Sequence, residues 1–211
     1  MTIAKNGRLA LLAFALIFIS TLSVLLARRL NMGPMSPVPA WRTFGPENAA
    51  IQIYEFTDFA CPACRGASET LTETLRVYGG DIRLRFKHYP LIHIHPWSMH
   101  AAAYSDCAGE QGKFTEYAEL LFATQENWGE AKEEPAIFGE LALKLKLDWP
   151  KMQACANSPE AIRRVKLDMA EGDLKGVNAT PTFFINGKRS VGGGQLLDKV
   201  RNFDNLLGKK R

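Results

Sequence analysis

The stretch from Ile51 to Leu71, "IQIYEFTDFACPACRGASETL", constrains the fold more than any other part of the chain. Ile51 and Ile53 alternate with Gln52 and Tyr54, the period of a strand. From Pro62 the period changes: Ala67, Leu71, Leu75 and Tyr78 recur at helical steps, and "YGGD" ends the run with glycine. "IRLRFKHYP" then alternates Ile82, Leu84 and Phe86 against basic residues, giving a second strand. A strand thus runs directly into a helix, and two cysteines, Cys61 and Cys64, sit at the junction.

Three kinds of chemistry suit two cysteines at that spacing: metal binding, a structural bridge or electron transfer. Zinc needs two further ligands. Cys107 and Cys155 do not form a second C-x-x-C, and no zinc-finger spacing joins His88, His93, His95 or His100 to the cysteines, so these histidines read as polar-loop or packing residues. A permanent bridge between Cys61 and Cys64 closes too short a loop to restrain the unfolded chain much. Redox exchange fits better. A cysteine at the first turn of a helix meets unpaired N–H groups and the positive end of the helix dipole, which favour thiolate over thiol. Cys64, three residues on, shares that helix face and is placed to attack a mixed disulfide formed on Cys61. Pro62 suits the helix start, where it forfeits no hydrogen bond.

Beyond the second strand the pattern is helical for about 80 residues, from "WSMHAAAYSDCAGEQ" to "SPEAIRRVKLDMAEGDLKG", where Ser158 can cap and Pro159 can occupy the first turn. Strand character returns at "TPTFFING", with a tight turn and a short "SVGG", and Leu196 to Leu207 reads as a closing helix. The order is β-α-β, a helical block, then β-β-α, which implies partly parallel pairing with an antiparallel hairpin at one edge. A block that long is too large for a loop and is expected to pack on the sheet as a subdomain.

The chain begins differently. Leu9 to Ala27 carries no charge over 19 residues, at ~1.5 Å per residue about the thickness of a bilayer's hydrocarbon core. Bulky Leu25, two residues before Ala27, makes a poor cleavage site, so an uncleaved membrane anchor over residues 1–29 is preferred to a signal peptide. Flanking charges are nearly balanced and give no orientation. Residues 30–48 are proline-rich and read as an extended spacer. After residue 29 the chain holds 22 basic and 22 acidic residues, so the domain has no general electrostatic claim on nucleic acid. Four cysteines behind an export-type leader favour an oxidising compartment, with the domain outside the cytoplasm.

"YEFTDFACPACR" together with "GVNATPTFFINGK" resembles the DsbA-like thiol–disulfide oxidoreductases of the thioredoxin superfamily. The resemblance runs from about Pro46 to Leu207 and implies an α/β thioredoxin fold over residues 49–211, with a helical insertion at about 97–175. It implies that the Thr180–Pro181 peptide is cis and lies beside Cys61 and Cys64, with the Thr180 backbone open to an extended substrate peptide; an ordinary trans proline opening a strand is the alternative. It makes Glu55 a buried acid that shuttles the proton of Cys64; a solvent-facing strand glutamate is the alternative. Lys87, in the neighbouring strand, is a candidate charge partner, and Asp58 reads as a turn residue before the helix. Many strongly oxidising relatives carry histidine where this chain has Ala63, which bears on the strength of the oxidant. No cofactor is needed, because the cysteines carry the electrons.

The implied activity is oxidation of exported proteins bearing cysteine thiols, with a membrane redox partner such as a quinone-linked reoxidase restoring the disulfide. The reverse flow, as a reductase or isomerase, and a redox-idle binding or chaperone module are the rivals. The location is the cell membrane, single-pass, or the extracytoplasmic space if the leader is cleaved. Cys107 and Cys155 are expected to form a structural disulfide, closing a loop of about 49 residues for ~4 kcal/mol; free buried thiols or a relay to the active pair are the alternatives.

Overall fold

The computed structural model describes residues 13–24 and 34–209. At the N-terminus, helix α1 is described over residues 13–24, and its side chains are exposed. The ends of the expected anchor, residues 9–12 and 25–27, lie outside the described residues. Among the described residues no helix is long and apolar enough to cross a membrane.

The domain spans Pro37–Arg211. Its sheet has five strands in the order β1-β3-β2-β4-β5. β2 (Ile51–Thr57) and β3 (Ile82–His88) pair in parallel, joined by α2 (Pro62–Tyr78), and β4 (Thr182–Ile185) lies antiparallel on the other side of β2. β5 (Lys188–Val191) returns from β4 through Asn186–Gly187, both at positive φ, as a two-residue hairpin of this twist requires. Between β3 and β4 run α3 (Ser98–Glu110), α4 (Phe114–Ala123), α5 (Ile137–Lys144), α6 (Trp149–Ala156) and α7 (Pro159–Leu174). This is the thioredoxin-like α/β arrangement with a helical insertion.

Local chemistry accounts for these boundaries. Pro62 opens α2, and its buried stripe of Cys64, Ala67, Leu71, Thr74 and Tyr78 steps by three and four residues against Ile51, Ile53, Ile82 and Leu84 of the sheet. Ser158 caps α7 by accepting from the Ala161 amide at 3.2 Å. Cys107 and Cys155 are disulfide-bonded, Cα to Cα 5.9 Å, and tie α3 to α6.

Two elements differ from the sequence reading. The expected closing helix is broken into α8 (Gly192–Val200) and α9 (Phe203–Leu206). At the break, the Asn202 side chain donates to the Asp198 carbonyl at 3.1 Å, the kind of local bond that competes with helix continuation. The spacer expected over residues 30–48 ends early. Ala40–Arg42 forms a 3-10 turn and β1 (Thr43–Phe44) pairs antiparallel with β3, so these residues belong to the domain. The cause is distant: Arg42 is only 1% exposed, held by Asp106 of α3 at 3.0 Å and by Asp168 of α7. Trp41 beside it donates to Asp106 at 3.2 Å, and its ring occupies the space where a Cβ on Gly109 would fall.

Candidate active site

Cys61 is the N-cap of α2, in extended conformation, and Cys64 lies in its first turn. Both are buried free thiols. The residue before β4 closes the other side: the Thr180–Pro181 peptide is cis, and Cys61 Sγ lies 3.5 Å from the Thr180 carbonyl oxygen. Parallel and antiparallel pairing about β2 therefore brings together residues more than a hundred positions apart.

The two thiols are electrostatically unequal. A hydrogen bond from the Cys64 thiol, helped by Thr180 and by the Cys64 and Ala63 amides at the helix start, outweighs burial and brings Cys61 down to about 5. Cys64 is pushed well above the usual thiol value, first by burial and then by the charge and hydrogen bond of Cys61. One thiol is thus ionised at neutral pH. The other stays protonated.

Glu55 is 2% exposed, and its Oε1 has no hydrogen-bond partner among the described residues. Burial raises its carboxyl to about 8, with Thr57 pulling the other way. Thr57 also lowers Cys64, where burial dominates, but its hydroxyl makes no hydrogen bond among the described residues. Glu55 lines a pocket of ≈ 100 Å³ with Ser68 and Leu71 of α2 and Phe114 and Phe122 of α4.

Lys87 does not partner Glu55. It pairs instead with Asp168 at 3.2 Å and Glu171 at 2.5 Å on α7. Strand alternation is the reason: Glu55 registers with Phe86, whereas Lys87 registers with Phe56, one residue on and on the opposite face.

Asp58 is more than a turn residue. It is buried and accepts four hydrogen bonds, from the Ala60 and Leu91 amides, Ser98 Oγ and His95 Nδ1. The sequence reading set His95 among the polar-loop or packing residues, without its bond to Asp58. A usable signal existed, since two parallel strands place the segments leaving their C-terminal ends side by side.

Comparison with known proteins agrees with this geometry. Residues 38–201 match the thioredoxin family. Among solved structures, Wolbachia pipientis alpha-DsbA1 superposes with a TM-score of 0.73 at 20% identity, covering 86% of this chain and 96% of that one. Pseudomonas aeruginosa DsbA2 gives 0.65 at 25% identity over 80% and 96% of the two chains. Bacillus subtilis BdbD in its oxidised form gives 0.65 at 20%, over 76% and 91%. A 148-residue stretch is also 34% identical to part of the Na(+)/H(+) antiporter NhaA 3 of Salinispora tropica, covering 70% of this chain but 22% of that protein. The match is to one segment of a much larger protein. The chain belongs to the thioredoxin family and, within it, has the DsbA-like build of a thiol–disulfide oxidoreductase.

Proposed function

We propose that this protein oxidises cysteine pairs in exported proteins, using the Cys61–Cys64 disulfide as the oxidant. A substrate thiolate attacks Cys61 Sγ, the Cys61–Cys64 bond breaks, and Cys64 leaves with a proton supplied from Glu55. The second substrate thiolate then attacks the substrate sulfur of the mixed disulfide and expels Cys61 as thiolate. Two electrons pass to the cysteine pair and the substrate gains one disulfide. A quinone-linked membrane reoxidase removes those electrons again. Glu55 suits its part because its carboxyl keeps a proton at pH 7. The backbone of Thr180 and Pro181, beside Cys61, is the edge on which an extended substrate would lie.

The observation that carries the direction of flow is the low value for Cys61. A stabilised thiolate stabilises the reduced pair and so makes the disulfide more oxidising. That stabilisation is complete above the usual thiol value of 9.0 and is lost as pH falls through about 5.

The apolar segment 9–27 fixes the domain to the membrane on its extracytoplasmic side; Phe14, Ile17 and Phe18 within it are exposed. Cleavage of that segment would leave the same domain free in the same space, which N-terminal sequencing of the mature protein decides.

The test is the reduction potential of Cys61–Cys64 in the detergent-solubilised full chain, equilibrated with glutathione and read by alkylation and mass spectrometry. A value near ~−120 mV, as for DsbA, is expected; one near ~−270 mV, as for thioredoxin, would make the protein a reductase. A pair that never exchanges would leave only the binding or chaperone reading.

A further inference from the structure

β2 and β3 run parallel and stay in register to Thr57 and His88, so the segments that leave them meet beyond the sheet. One holds Asp58 to Cys61. The other holds Leu91 to Ser98. Asp58 is the joint between them. Its Oδ1 accepts from the Ala60 amide at 2.8 Å and Ser98 Oγ at 2.5 Å; its Oδ2 accepts from the Leu91 amide at 2.8 Å and faces His95 Nδ1 at 2.7 Å. The backbone of the same residue holds the cysteines. Its carbonyl accepts from the Cys61 amide at 3.1 Å, and its amide donates to Cys64 Sγ at 3.5 Å. One side chain therefore separates the imidazole from the sulfur pair.

A bare carboxylate in that position would oppose ionisation of Cys61, because like charges in a buried site raise each other's proton affinity. An imidazolium on Oδ2 removes that opposition. The His95 side chain is 15% exposed, so its proton can exchange with solvent.

We propose that His95 is a positioning residue for thiol exchange: as an imidazolium bound to Asp58, it neutralises the carboxylate behind the cysteine pair and so holds Cys61 as thiolate. Pro62 and Ala63, between the cysteines, have no group for that task. The inference rests on the reading of Cys61–Cys64 as the exchanging pair.

The groups acting on His95 are Asp58 at the end of β2, Cys61 at the start of α2 and Glu130 after α4. All are anionic when ionised. Together they hold the imidazole above its ordinary value, the Asp58 bond contributing most and burial opposing. Such coupling is reciprocal: the thiolate favours the imidazolium as much as the imidazolium favours the thiolate. A disulfide at Cys61 carries no charge, so the His95 proton should be held less tightly in the oxidised protein.

The first experiment needs no substitution. The His95 ring is titrated by NMR in the reduced and the disulfide forms of the wild-type chain, and the midpoint is expected to be higher in the reduced form. Equal midpoints would overturn the inference. The second compares His95→Gln, which keeps a donor for Asp58 but no charge. Thiolate absorbance of Cys61 is expected to titrate about one pH unit higher, a ten-fold loss of thiolate at a given lower pH. Adding Ala63→His at that exposed position should recover it. An unmoved titration in folded His95→Gln would also overturn the inference. If Cys61–Cys64 fails to exchange with glutathione, the oxidoreductase reading falls and this inference with it. If it exchanges while His95 is indifferent, only the inference falls.

Discussion

Two buried carboxyl groups in this domain end in opposite protonation states. Asp106 lies between two guanidinium groups, Arg42 Nε at 3.0 Å and Arg164 Nε at 3.3 Å, with His88 Nε2 at 3.2 Å. Burial pushes its carboxyl up, but the charge and hydrogen bond of His88 and the charge of Arg42 outweigh it and hold it at about 2. Glu55, equally buried, lines a mostly apolar pocket with no cationic side chain in its wall, and stands at about 8. Burial removes water from both; the partner decides which form survives. The paired acid joins the Ala40–Arg42 turn, β3, α3 and α7 and is scaffold. The unpaired one lowers stability at neutral pH and lies on the strand that leads to Cys61 and Cys64; a cost of that kind is commonly tied to function.

The comparison breaks first at Asp106. Replacing it by alanine strands buried cations and is expected to lower stability by about 3–5 kcal/mol, read from the urea midpoint. A small loss would mean that the cluster is solvated and not scaffold.

Glu55→Gln should act in the opposite sense. A carboxyl that binds its proton more tightly when folded makes stability fall as pH rises from 4.5 to about 8, and level off above that. Glutamine removes that slope. The variant should therefore be more stable than wild type at pH 8, by a few kcal/mol at ~1.4 kcal/mol for each pH unit crossed between those two values, and equal to it at pH 4. Formation of the mixed disulfide, the step in which Cys64 takes up its proton, should slow by about 10²-fold. A gain in stability with no loss of rate would separate the acid from the chemistry.

Gly109→Ala tests the paired site through its packing. The new Cβ would fall 2.2 Å from Trp41 Cδ1, and displacing that ring from Asp106 is expected to cost about 1–3 kcal/mol with a shift in tryptophan fluorescence. Smallest is Arg163→Ala. Its partner Glu160 also has its carboxyl lowered by an arginine, but on the surface, and no measurable change in the urea midpoint is expected.

The sequence made some of this visible and hid the rest for physical reasons. β2, α2 and β3 were legible because each repeats one local period, and the two cysteines fell where the period changed. The helical block was legible in the same way, with Ser158 and Pro159 marking a start. β1 was not, because two residues carry no period and Arg42 is drawn in by acids 64 and 126 positions away along the chain. Pairing Lys87 with Glu55 ignored the alternation of faces along adjacent strands. Asp58 and His95 escaped for a third reason. Their contact depends on two loops meeting, and each loop alone looks like ordinary polar turn sequence.

The bond between Cys107 and Cys155 also fixes what a protease can do to this molecule. It spans 48 positions of chain, and within them lies the exposed stretch Lys132 to Glu134 between two helices. A cut there would open the backbone without releasing either piece. The nicked protein would travel as a single species until a reductant was added, and the helices on both sides of the cut would stay at their stations around the sheet.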